Sequence, residues 1–114
     1  MKNDCVFCAI AAGEIPCFKV YEDELALAYL DINPFSEGHT LVIPKAHIAS
    51  VAEINSENSA VISHIFEVIA QIARDEKLDG GYRVVSNCGD DAGQTVHHLH
   101  FHILGGEKLS VEMA

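Results

Sequence analysis

The chain has 114 residues, with 7 Lys+Arg against 17 Asp+Glu, 49% apolar and 21% charged side chains. That is a single domain over 1–114 with roughly 65% of its unfolded surface to bury, and a composition unlike that of a disordered chain. The formal net charge of -10 argues against nonspecific nucleic-acid binding and against an anionic membrane surface as partners. A phosphate ligand would need a local site that outweighs this field.

No stretch reaches the roughly 20 apolar residues of a membrane span. The first residues are charged too early for a signal peptide, so a cytoplasmic location is expected. In that compartment Cys5, Cys8, Cys17 and Cys88 point to metal ligation or packing instead of disulfides. A short helix is predicted over 5–12, capped by Asp4 and ended by Gly13. Strands over 18–21 and 25–30 flank the acidic turn Glu22-Asp23-Glu24. Asn33-Pro34 marks a turn, and a third strand over 39–43 stops at Pro44. A long helix follows over 56–77, with Ser56 as its cap. Its apolar stripe is Val61, Ile65, Val68, Ile69 and Ile72. After Gly80-Gly81 come a fourth strand over 82–87, a glycine-bearing loop over 88–94 and a last strand over 96–104. Short strands with hairpin-length turns predict an antiparallel sheet of about five strands. With one long and one short helix, the fold class is α+β.

The last strand carries the chemistry. Period-2 alternation places His98, His100 and His102 on one face, each roughly 7 Å from the next, and Leu99, Phe101 and Ile103 on the other. Three readings stand beside one another. A merely solvated face would be made more simply from Lys, Glu or Thr. A metal held by these three alone fits poorly, because tetrahedral ligands converge from several elements. A neutral imidazole is also a competent nucleophile toward phosphorus.

His98-Leu99-His100-Phe101-His102-Ile103-Leu104 resembles the signature of the histidine triad family. So do Leu30-Asp31-Ile32-Asn33-Pro34, Gly38-His39-Thr40-Leu41-Val42-Ile43-Pro44, Gly93-Gln94-Thr95-Val96 and Leu104-Gly105-Gly106, the last resembling its Hint-like branch. The resemblance implies a purine nucleotide hydrolase that cleaves at the α-phosphorus. His100 would be the nucleophile, and His102 would donate to the phosphate. His98 completes the triad, and His39 would support the site from the third strand. Asn87 and Gln94 would touch the phosphate or leaving group. Amides over 93–96, including those of Gly93, Thr95 and Val96, would form an anion pocket. Asp31 would hold the ribose, and Val6, Phe7 and Ile32 the base. The implied reaction is hydrolysis of a nucleoside 5′-phosphoramidate to AMP or GMP. The leaving amine would take its proton from the attacking imidazole or from His102. Cleavage of dinucleoside polyphosphates and a nucleotide-binding partner module with weak catalysis are the rival readings.

Cys5-x-x-Cys8 alone is weak evidence for redox chemistry, metal binding or neither. The same resemblance supplies two further ligands, His47 and His98, for a structural zinc that would pin the first helix to the sheet. It also implies a homodimer through the long helix and the fourth strand. His64 and His97 read as structural or solvent-exposed, and Cys17 and Cys88 have no assigned part. The tail after Gly106 departs from the family's usual one, which puts leaving-group specificity in doubt.

Overall fold

The computed structural model describes residues 5–31 and 39–111. Asp4, Ile32 and the Asn33-Pro34 turn lie outside those residues.

Helix α1 spans Val6–Ala11 and is capped by Cys5, whose thiol accepts the Cys8 N–H. The strands are β1 (Lys19–Glu22), β2 (Ala26–Leu30), β3 (Thr40–Pro44), β4 (Tyr82–Val85) and β5 (Phe101–Gly105). Helix α2, Ser59–Asp75, joins β3 to β4. The sheet order is β1-β2-β3-β5-β4 with every pair antiparallel. The α+β class and the antiparallel five-strand sheet thus stand as expected. No described helix is long and apolar enough to cross a membrane.

Alternation along the strands sorts the core into two clusters on opposite faces. Ala26, Ala28, Val42, Phe101 and Ile103 pack against Ile65, Val68, Ile69 and Ile72 of α2. Leu27, Tyr29, Leu41 and Ile43 pack against Phe7, Ile10 and Ala11 of α1. The imidazole face predicted for the last strand is therefore covered, not solvated: His98 is fully buried and His100 nearly so.

Several boundaries differ from the sequence expectation, and three of them have a plain physical cause. Regular pairing in β5 begins at Phe101, not at residue 96. Pro44 has no N–H for a continuing ladder, and the Leu99 N–H goes instead to the Ile48 carbonyl. Helix α2 starts at Ser59 behind Asn58, not behind Ser56. The Asn55 side chain accepts the Glu57 and Asn58 N–H groups and so holds 55–58 in a turn. The helix ends two residues early because Lys77 is left-handed, φ 61°. The Leu78 N–H reaches the Ala73 carbonyl and the Lys77 N–H the Arg74 carbonyl, a Schellman closure.

Candidate active site and metal centre

A cavity of about 810 Å³ opens on the α1 face of the sheet, within the range of small-molecule sites. Val6, Phe7 and Ile10 of α1 form one wall, Tyr29 and Leu41 the floor. His100, His102, Thr95 and Val96 close one end, with Asp31 beside them at the end of β2.

The second nitrogen of each imidazole fixes what the first can do. His100 Nδ1 lies 2.7 Å from the His98 carbonyl. It donates its proton there, which leaves the lone pair on Nε2. His39 Nε2 is 2.9 Å from His102 Nδ1 and 3.4 Å from Asp31 Oδ2. The carboxylate can only accept, so His39 is the donor, and His102 keeps its own proton on Nε2. Burial holds the His39 pKa below its ordinary value despite the Asp31 charge. Burial, and then the neighbouring His100 and His39, push His102 down to about 4. His102 is thus uncharged at neutral pH. In this state it is a hydrogen-bond donor through Nε2.

His98 belongs to a different constellation. Its Nε2–H donates to the Pro44 carbonyl at 2.8 Å. Its Nδ1 lies 3.3 Å from Cys5 Sγ and 3.4 Å from Cys8 Sγ. His47 Nδ1 is 3.2 Å from Cys8 Sγ. All four ligand atoms lie within 4.8 Å of one another. Tetrahedral Zn–S and Zn–N bonds require ligand–ligand edges of roughly 3.5 Å, close to these separations. The carbonyl behind His98 is the kind of outer partner that orients a metal-bound imidazole. These residues therefore fit a metal ion, and His98 is a ligand candidate with both nitrogens engaged, not a group of the reacting end.

The other expected residues divide. Val6, Phe7, Asp31, Thr95 and Val96 line the cavity, whereas Asn87 and Gly93 do not. Gln94 is buried and spends its amide on the loop: Nε2 donates to the Ala49 and Val96 carbonyls, and Oε1 accepts the Gly89 N–H. In this structure its side chain shapes the 89–96 loop. His97 is exposed. His64 Nε2 meets Asp23 Oδ2 at 2.5 Å and ties α2 to the β1–β2 turn. Ile10, Cys17 and Tyr29, to which the sequence alone assigns no part, also line the cavity. Two of them carried a signal: Ile10 is one helical turn from Phe7, and Tyr29 is two residues from Asp31 on a strand.

The profile of the HIT domain matches residues 12–109. An uncharacterized HIT-like protein of Synechococcus elongatus is 46% identical over 110 residues, 96% of each chain. A histidine triad protein from Clostridium difficile superposes with a TM-score of 0.94 at 48% identity, covering 99% of both chains. A HIT family hydrolase from Clostridium thermocellum superposes at 0.95 with 43% identity over the full length of both. A profile that takes in all five strands, the long helix and the three spaced imidazoles, with near-complete relatives on either side of it, establishes that this chain belongs to the HIT, or histidine triad, family.

Proposed function

We propose that the protein is a purine nucleotide hydrolase that cleaves at the α-phosphorus through a nucleotidyl-His100 intermediate. One observation carries the reading: the His98 carbonyl takes the Nδ1 proton of His100, leaving a lone pair on an imidazole that lines the cavity beside the His102 donor. The similarity to the HIT family hydrolase from Clostridium thermocellum supports it.

The substrate class is a nucleoside 5′-phosphoramidate. His100 Nε2 bonds to phosphorus as the phosphorus–amine bond breaks, and the amine departs with a proton from solvent. Water then attacks phosphorus, the phosphorus–Nε2 bond breaks, and one water proton returns to solvent. The products are a nucleoside monophosphate, a free amine and the original imidazole. Throughout, His102 Nε2–H donates to a phosphate oxygen whose charge grows in the transition state. Amides over 93–96 add donors without net charge. The Asp31 carboxylate accepts from the ribose hydroxyls, and Val6 and Phe7 flank the base.

A structural zinc at Cys5, Cys8, His47 and His98 would fasten α1 to the sheet and take no part in the bond changes. The exposed aromatics Phe66 on α2 and Tyr82 on the edge strand β4 support assembly as a homodimer, which sedimentation checks. The reaction is tested by AMP release from adenosine 5′-phosphoramidate with His100→Ala in parallel. Loss of roughly a thousandfold or more is expected for the variant. An unchanged rate removes His100 as nucleophile. An inert phosphoramidate beside a cleaved dinucleoside polyphosphate would reassign the leaving group.

A further inference from the structure

The register of the sheet brings a second set of ligand-type side chains together, apart from the cysteines. Leu30 pairs with Thr40. One step further along, the Asp31 N–H donates to the His39 carbonyl at 3.2 Å, so Asp31 and His39 stand opposite one another. Leu41, two residues on from His39 and on the same face, pairs with His102 of β5. His102 is therefore the diagonal neighbour of His39, within reach of its ring. One carboxylate and two imidazoles thus converge from three separate segments. His39 Nε2 is 2.9 Å from His102 Nδ1 and 3.4 Å from Asp31 Oδ2. The three ligand atoms lie within 4.8 Å of one another.

One proton lies among these three atoms, on His39 Nε2, and it faces two acceptors. A divalent ion in its place would draw on a lone pair from each of the three. The separations suit such an ion. With bonds of about 2.1 Å, neighbouring ligands of an octahedral ion stand roughly 3.0 Å apart and those of a tetrahedral one roughly 3.4 Å. Burial lowers the pKa of both imidazoles, so at neutral pH an ion need not displace a charging proton. His39 is buried, but Asp31 and His102 line the cavity, and an ion can reach the set from there. Two imidazoles with a single carboxylate suit first-row transition ions. They offer too few oxygens for calcium or magnesium.

We propose that Asp31, His39 and His102 form a further metal site, separate from the Cys5 and Cys8 set, which takes a divalent transition ion through nitrogen and oxygen alone. Uptake moves the His39 proton from Nε2 to Nδ1, a change of tautomer without a change of charge, and leaves the His102 proton on Nε2. This site does not depend on the nucleotide reading above, because it is built from protein atoms only.

The test is titration of the full chain and of Asp31→Asn with cobalt(II), read by visible absorption and by proton NMR. Cobalt held by Cys5 and Cys8 shows intense thiolate-to-metal absorption, whereas cobalt held by nitrogen and oxygen shows only weak bands. The native protein is expected to take up one equivalent without thiolate absorption, beyond any that shows it. Asp31→Asn should hold that equivalent roughly tenfold more weakly or worse, with the thiolate absorption unchanged. In the native protein the same equivalent should bring out strongly shifted ring C–H resonances from two histidines, beyond those that accompany thiolate absorption. Cobalt taken up only with thiolate absorption overturns the proposal. So does a thiolate-free equivalent that Asp31→Asn holds as tightly as the native protein, since that is adventitious binding to an acidic surface. A native spectrum without the shifted histidine resonances overturns it as well, and needs no variant.

Discussion

Without the His39 imidazole against its Nδ1, His102 would be at liberty to carry its proton on either nitrogen. On the proposed reaction His39 is a positioning residue, and His39→Ala should lower kcat by roughly ten- to a hundredfold, the worth of one misdirected buried hydrogen bond. Nitrogen-15 spectra of the imidazoles separate this from a general loss of structure: His102 is expected as a single Nε2–H tautomer in the native protein and as a mixture in the variant. The cluster of imidazoles was legible from their period-2 spacing, although regular pairing begins only at Phe101. The assignment of each imidazole was not, since it depends on carbonyls and a carboxylate that other segments bring. Pro44 supplies the carbonyl behind His98, and β3 is preceded by His39.

At the scale of elements, Lys77 carries no stop signal, where a glycine would have marked a helix end. The left-handed conformation is imposed by the closure onto Ala73 and by the burial of Leu78 behind it. Lys77→Gly should relieve the strain and stabilise the protein by about 1 kcal/mol, read as a higher denaturation midpoint at unchanged slope. Asp23 acts in the opposite sense, as a joint. Its Oδ1 accepts the Leu25 and Ala26 N–H groups, and its Oδ2 accepts from Tyr21 and His64. Burial pushes this carboxyl up, but those hydrogen bonds outweigh it and hold it well below the usual carboxylate range. Asp23→Ala should cost about 2 kcal/mol. The acidic turn was legible; that it reaches α2 was not, because the contact spans 41 residues of chain. Nor could α1 be foreseen as a cover for the imidazoles, since six residues carry too little periodicity to show which face is buried.

For the molecule as a whole, the depressed histidines set the acid behaviour. A group whose folded pKa lies below its unfolded value stabilises the fold while it is neutral, above the unfolded pKa, and loses that stability as pH falls toward the folded pKa. For His102 the window runs from the ordinary 6.5 down to about 4, and His39 shifts in the same direction. Denaturation midpoints should therefore decline over that window, before Asp23 is protonated. In His102→Gln the decline should be shallower, and an equally steep one would place the effect elsewhere.

Helix α1 presents Cys5 and Cys8 to His47 and His98 and, from the same six residues and their cap, Val6, Phe7 and Ile10 to the cavity. It is too short to hold its shape alone in water, so a metal on one side and a nucleotide on the other draw on the same ordering of one segment. Two ligands that share an ordering step must favour each other, and by the same factor in each direction. Removal of the metal by a chelator should then weaken AMP binding, and saturating AMP should raise the chelator concentration needed to strip the metal. On the proposed function, such a protein would couple its nucleotide occupancy to the metal supply around it, although none of the four candidate ligands lines the cavity.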